Sequence, residues 1–97
     1  MTKRKTAQFS EEGIESLAKN KPIVYKIEDK SGSNIYTGVA KRGRVEDRLK
    51  EHLPGGKDAI PGGAKVKIEQ KGSISEAEKS EARIIKAAQP RHNKQGK

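Results

Sequence analysis

The sequence predicts a small α+β domain in which a three-stranded antiparallel sheet is flanked by about three helices. The 97 residues are enough for one compact domain and not for two, and only 30% of them are hydrophobic, so the core is expected to be small. Segments with helix-like and strand-like apolar spacing follow in the order helix, strand, strand, helix, strand, helix, which is typical of an α+β fold. Residues 1–9 are expected to form a basic flexible arm and residues 10–97 the domain.

One helix and a β-hairpin are predicted in the N-terminal half. Ser10 is a candidate N-cap before two glutamates, and the apolar residues that follow have helical spacing until the Asn-Lys-Pro sequence at 20–22 ends the helix. Residues 23–28 and 34–40 are rich in β-branched and aromatic side chains and are separated by a glycine-containing turn, which predicts a strand pair. The first of these strands is the more apolar, so it is expected in the middle of the sheet.

A helix, a strand and a final helix are predicted in the C-terminal half. The apolar spacing over 45–53 is helical and ends at Pro-Gly-Gly, and the glycine-rich residues 54–63 form a loop. Residues 64–69 alternate between apolar and charged side chains, as a half-buried strand does. Two overlapping capping boxes in 73–78 begin the last helix, which must end before Pro90.

The charge balance points to a polyanionic partner. The chain carries 22 Lys and Arg against 13 Asp and Glu, a net charge of +9, and nucleic acid is the commonest partner for such an excess. The alternative, that the basic residues only keep a small protein in solution, stays open on composition alone. Cysteine is absent, which excludes disulfides and thiolate metal sites and fits a reducing cytoplasm. No apolar run is long enough for a signal peptide or membrane helix, so a cytoplasmic protein without a membrane partner is expected.

Glu81 is the most unusual residue of the last predicted helix. It lies at helical spacing on the side of the apolar positions, which are Ala77, Ile84, Ile85 and Ala88. No cation occupies a neighbouring helical position, so the carboxylate needs a cation from elsewhere. One alternative is an ion pair with a lysine or arginine of the sheet, and the other is a hard divalent ion such as Mg²⁺.

Arg48 and His52 are spaced i and i+4 beside the apolar stripe of the second helix, so their side chains project from one side. In one interpretation Arg48 pairs with Glu51 and His52 is a solvated residue near a helix end. In the other, Arg48 binds a phosphate and His52 takes a polar or proton-transfer role beside it.

The two tyrosines are expected to converge on one face of the hairpin. If residues 30–33 form a four-residue loop, Tyr25 lies opposite Gly38 and Tyr36 lies opposite Ile27, so the phenols are diagonal neighbours about 7–8 Å apart at their backbones. Gly38 would leave the space that the Tyr25 ring needs. A one-residue change in the loop would send the tyrosines to opposite faces, and simple core filling is the other alternative.

Taken in order, these residues resemble the GIY-YIG nuclease family over residues 22–93. Two segments stand where the family has its signature sequences, Ile23-Val24-Tyr25 and Tyr36-Thr37-Gly38. Two more resemble its helix motif and its metal-binding helix with a trailing asparagine, Arg48-Leu49-x-x-His52 and the segment from Glu81 to Asn93. Ile23 replaces the signature glycine and Thr37 the usual isoleucine, and neither change removes a chemical group that the family uses.

The resemblance implies a DNA endonuclease with one phosphodiester-cleaving site. Its catalytic residues would be Tyr25, Tyr36, Arg48, His52, Glu81 and Asn93. Glu81 would hold a single Mg²⁺ or Mn²⁺ against the scissile phosphate, Tyr25 would activate or position the attacking water, and Arg48 would neutralise charge on the phosphate. A phenol with a pKa near 10 is a poor base, so Tyr25 needs the metal, Arg48 or Lys26 to favour its phenolate.

The expected partner is duplex or branched DNA, and the oligomeric state stays open, with a dimer as one option. The residues expected to contact nucleic acid are Lys26, Gly38, Lys41, Arg42 and Arg44. A non-catalytic nucleic-acid-binding module that retains the nuclease fold is the main alternative function. A basic α+β protein bound to RNA in a larger particle is a third.

Overall fold

The computed structural model describes residues 3–17 and 21–88. In chain order its elements are β1 (Lys3–Gln8), α1 (Glu11–Glu15), β2 (Ile23–Glu28), β3 (Asn34–Ala40), α2 (Val45–Glu51), β4 (Lys65–Gln70) and α3 (Ile74–Ala88). The predicted α+β class is confirmed, with four antiparallel strands instead of three. No helix in these two ranges is long and apolar enough to span a membrane.

The sheet has the strand order β1-β4-β2-β3, so β2 lies inside it as predicted. Tyr25 of β2 is opposite Gly38 of β3 on one side and Ile68 of β4 on the other. The predicted register between β2 and β3 is confirmed as far as the pair Ile27 and Tyr36. Beyond that pair the register shifts by one residue, so that Ile35 is the extra residue of a bulge in β3.

The first strand corrects the prediction that residues 1–9 form a flexible arm. Residues 3–8 pair antiparallel with β4 along its whole length. This segment lacks the apolar alternation of a half-buried strand, because Ala7 is its only apolar residue. The pairing uses backbone groups, which every residue except proline carries, so it leaves little trace in the sequence. Ala7 and the following Phe9 pack against the core.

The core lies on the face of the sheet that carries Tyr25. Many of its buried side chains come from α1 and the turn after it, from α2 and from the two inner strands β2 and β4: Ile14, Leu17, Ile23, Tyr25, Ile27, Val45, Leu49, Val66 and Ile68. Because burying one aliphatic side chain of this size stabilises a fold by about 1.5–3 kcal/mol, this layer is the main source of stability. Val24 and Thr37 alternate onto the opposite face and are also buried, and α3 packs on β2 and β3.

Capping residues set the starts of two helices where the sequence predicts them. The Ser10 side chain accepts a hydrogen bond from the Gly13 amide at 3.2 Å. The Ser73 hydroxyl accepts one from the Glu76 amide at 3.2 Å, and α3 starts at the next residue. The ends differ more, because α1 ends at Glu15 and α2 at Glu51, earlier than the apolar spacing predicts.

Candidate active site

The two tyrosines converge on the core face of the hairpin. Their ring centroids are 6.1 Å apart. A Cβ on Gly38 would lie 2.6 Å from the Tyr25 hydroxyl oxygen and 3.1 Å from Tyr36 Cε2, so only glycine leaves room for both rings. The predicted packing of Tyr25 over Gly38 is therefore confirmed, and Gly38 is itself buried.

His52 completes an aromatic cluster with the tyrosines. It is the C-cap residue of α2, and its ring centroid lies 5.6 Å from that of Tyr25 and 4.8 Å from that of Tyr36. Its side chain is 0% exposed, so the interpretation of a solvated residue at a helix end is wrong. The chain turns back after α2 and covers the ring, an arrangement that helical spacing does not encode.

Hydrogen bonds on both ring nitrogens determine the tautomer of His52. Nδ1 lies 2.8 Å from the carbonyl oxygen of Asp58, which can only accept, so Nδ1 carries the proton. In the neutral ring Nε2 is then an acceptor, and it lies 2.7 Å from the hydroxyl of Tyr25. Tyr25 therefore donates its proton toward His52.

Burial sets the protonation states of this cluster. Burial lowers the pKa of His52, and the positive charge of Arg48 lowers it further, against the opposing effects of Asp58 and Glu51. The pKa of Tyr25 is raised, first by burial and then by Tyr36, although Arg48 opposes the shift. At neutral pH the site therefore contains a neutral imidazole that accepts from a protonated phenol.

Arg48 contacts the acidic side chain of Glu51 and also faces the buried phenols. Its Nη1 donates to Glu51 Oε1 at 2.7 Å, which is the pairing that one interpretation of the helix predicts. It also faces the tyrosines, since its charge and a hydrogen bond lower the pKa of Tyr25 against the larger effect of burial. The side chain is 32% exposed, so the guanidinium stands between the buried cluster and the surface.

Glu81 lies half-buried on α3, within electrostatic reach of the cluster. After burial, the largest cause, its negative charge is one of the interactions that raise the pKa values of Tyr25 and Tyr36. In the described ranges no three His, Cys, Asp or Glu side chains form a set that could hold a metal ion. A single carboxylate fits Mg²⁺ or Mn²⁺ only where water and substrate phosphate supply the remaining ligands, as is common for Mg²⁺.

A basic groove of about 250 Å³ opens beside the cluster, between α2, the end of β3 and the start of α3. Its lining is Val39, Ala40, Lys41, Arg44, Arg48, Ile74 and Glu78. Arg44 is 56% exposed and lies 3.8 Å or more from its carboxylate partners, so its charge is only loosely compensated. Arg42 is exposed but does not line the groove.

One of the remaining expected residues does not join the cluster. Lys26 follows Tyr25 on β2, so its side chain points to the opposite face of the sheet and cannot favour a phenolate there. Asn93 lies outside the described residues. Conversely, Asp58 contacts His52, and no spacing or motif marks Asp58 in advance, whereas helical spacing did predict the pairing of Glu51 with Arg48.

Comparison with a protein-family model identifies the family to which this geometry belongs. No curated protein matches the chain at a significant level. A family model described as the GIY-YIG catalytic domain matches residues 21–95, more than three quarters of the chain. The matched range contains both tyrosines, Arg48, His52 and Glu81, and the chain therefore belongs to the GIY-YIG family of nucleases.

Proposed function

We propose that this chain is a metal-dependent DNA endonuclease that hydrolyses phosphodiester bonds at the tyrosine–histidine cluster. The observation that carries the proposal is the buried hydrogen bond of 2.7 Å from Tyr25 to Nε2 of a neutral His52. A core of this size has little reason to bury such a polar pair for stability alone, and the pair supplies a route for a proton.

His52 is the base of the proposed reaction, and the phenols connect it to water. Tyr25 alone cannot act as the base at neutral pH, because burial raises its pKa above the ordinary value of 10.0 and so keeps the phenol protonated. Tyr25 can accept a proton from a neighbouring group only if its own hydroxyl proton moves at the same time to His52 Nε2, which is unprotonated in the neutral ring. The neutral imidazole accepts this proton and becomes an imidazolium.

Tyr36 is the phenol that we expect to meet the attacking water. Tyr25 is 0% exposed, whereas Tyr36 is half-buried. Water would give a proton to Tyr36, Tyr36 would pass one to Tyr25, and Tyr25 would pass one to His52. The hydroxide would form the new bond to phosphorus as the bond to the leaving oxygen breaks, and that oxygen would take a proton from solvent. His52 would then release its proton, which restores the starting state.

Arg48 and Glu81 supply the charges that this reaction needs. Arg48 would compensate the negative charge that builds on the phosphate, in a place where Glu51 already holds the guanidinium. Glu81 would hold a single Mg²⁺ or Mn²⁺, whose chemistry at such a site is that of a Lewis acid toward the phosphate oxygens. The carboxylate lies close enough to the phenols to influence both.

The groove supports nucleic acid as the substrate. It shares Arg48 with the cluster and continues along Lys41 and Arg44. If one backbone phosphate binds at Arg48, Lys41 and Arg44 are placed to bind the adjacent phosphates. The net charge of +9 favours the same polyanionic substrate. Duplex and branched DNA are the substrates that we propose.

A plasmid-nicking assay with and without Mg²⁺ or Mn²⁺ tests this function. We expect metal-dependent nicking by the parent chain and a loss of about 10²–10⁴-fold in Tyr25→Phe and His52→Gln, the usual contribution of acid–base groups. Thermal unfolding of both variants separates lost chemistry from lost structure. A parent chain that binds DNA and cleaves none with either ion would instead identify a non-catalytic binding module.

A further inference from the structure

We propose that Asp58 is a positioning residue that holds His52 in the accepting tautomer and favours its charged form when the proton arrives. The part of this inference that concerns proton transfer rests on the proposed function. Asp58 belongs to the loop between α2 and β4, outside every motif of the sequence. Its backbone and its side chain both approach the same ring nitrogen, at different distances.

Backbone hydrogen bonds hold the loop against the end of α2. The amide of Asp58 donates to the carbonyl of Glu51 at 3.0 Å, and the amide of Ile60 donates to the carbonyl of His52 at 2.9 Å. A Cβ on Gly56 would lie 2.4 Å from the Glu51 carbonyl oxygen, so the close approach of the loop needs glycine there. Asp58 is thus held on both sides by bonds to the last residues of the helix.

The carbonyl of Asp58 decides which nitrogen of His52 accepts. It takes the Nδ1 proton at 2.8 Å, which leaves the lone pair on Nε2 for Tyr25. With the other tautomer, Nδ1 and the carbonyl would be two facing acceptors, and Nε2 could not receive a proton. The proposed proton route therefore depends on this backbone contact.

The carboxylate of Asp58 provides a negative charge for the imidazolium. Its Oδ2 lies 4.0 Å from His52 Nδ1 and is exposed to solvent. The other groups that bear on the ring are the two phenols, Arg48, which opposes a positive charge, and Glu51, whose carboxylate is already paired with Arg48 at 2.7 Å. Of the two carboxylates that act on the ring in the described part of the chain, Asp58 is therefore the one not already paired with Arg48. The direction of the pKa change agrees, because Asp58 raises the pKa of His52 against the larger lowering by burial.

Nuclear magnetic resonance of the histidine nitrogens in the metal-free protein tests the inference independently of cleavage. His92→Gln identifies the signals of His52, since the chain has two histidines. Asp58→Asn keeps the backbone carbonyl and removes only the charge, Asp58→Glu restores the charge, and Asp47→Asn is the matched control for loss of one negative charge.

We expect the Nδ1–H tautomer at high pH in the parent and in Asp58→Asn. The titration midpoint of His52 should fall in Asp58→Asn and return toward the parent value in Asp58→Glu, with Asp47→Asn unchanged. The cleavage rate should rise with pH as His52 loses its proton. In Asp58→Asn this rise should move to lower pH, while the plateau rate falls about two- to fivefold, the size expected for a partly exposed charge pair.

A His52 tautomer with the proton on Nε2, or a titration midpoint that Asp58→Asn leaves in place, would overturn the inference. A general loss of structure would lower the rate without moving its pH dependence, and that result would also count against it. A midpoint that shifts in a chain without nuclease activity would support the contact of Asp58 with His52 and reject the proposed function alone.

Discussion

Gly38→Ala is expected to displace the phenol of Tyr25 and disable the site. A Cβ at this position would lie 2.6 Å from the Tyr25 hydroxyl oxygen and 2.7 Å from Tyr25 Cζ. Carbon atoms in contact prefer separations of about 3.5–4.0 Å, so the ring has to move. Because the same hydroxyl is held 2.7 Å from His52 Nε2, that movement breaks the hydrogen bond on which proton transfer depends.

The cost in stability follows from the same two contacts. Overpacking a buried position costs about 1–3 kcal/mol. A buried polar group that loses its partner adds about 1–3 kcal/mol. Because each kcal/mol lowers Tm by about 4–8 °C in a domain of this size, the change should be plain in a thermal melt followed by circular dichroism.

Gly32→Ala is the matched control for this variant. Gly32 lies in the hairpin turn with φ +90, and a Cβ there meets no atom within 4 Å. The left-handed backbone costs an alanine roughly 1–2 kcal/mol, so stability falls while the cluster is untouched. Nicking at a temperature where both variants are folded should be lost only in Gly38→Ala. Parental Tm and parental nicking in Gly38→Ala would refute the placement of Tyr25 over this glycine.

Three further predictions concern charge. Burial holds the pKa of His52 below its ordinary value of 6.5, so protonation favours the unfolded chain. The contribution of His52 to stability should therefore be complete above about pH 6.5 and fall as the pH drops below it. Tm measured against pH should show this loss in the parent and a smaller loss in His52→Gln. Glu81→Gln keeps the shape of the side chain and removes a half-buried negative charge, so the variant should still be folded in a thermal melt. It should also remove metal-dependent nicking and lower the pKa of the tyrosines in an ultraviolet titration, and retained nicking would exclude Glu81 as the metal ligand. In metal-free binding assays Lys41→Ala and Arg44→Ala should each reduce the slope of log affinity against log salt by about 0.9. Lys30→Ala, at the other end of the hairpin, should leave that slope unchanged, and an equal effect of all three variants would reject the groove as the DNA path.

Local patterns were sufficient to predict most elements of the fold. The β-branched segments and the turn between them predict the pairing of β2 and β3, and the capping box at Ser73 predicts the start of α3. The first strand was missed because residues 3–8 have no apolar alternation, and their pairing with β4 is made by backbone groups.

The site was predictable where it depends on strand register and unpredictable where it depends on loops. Tyr25 and Tyr36 share a face because side chains alternate along a strand, so a correct register brings them together. The burial of His52 was not predictable, because a spacing of i and i+4 indicates the side of α2 from which the ring projects but does not indicate that the following loop covers it.

The sequence by itself predicted the α+β class and the central position of β2, and it predicted the tyrosine pair over Gly38 for one register of the hairpin, which the structure confirms. These predictions follow from periods of two and 3.6 residues and from the apolar content of β2, which the chain shows without reference to distant segments. Only the tertiary structure decided the burial and tautomer of His52, because these depend on backbone groups of the 54–60 loop. Packing likewise decided that Arg48 faces the phenols as well as its helical neighbour Glu51, since the contacts of a side chain across elements depend on how those elements pack together.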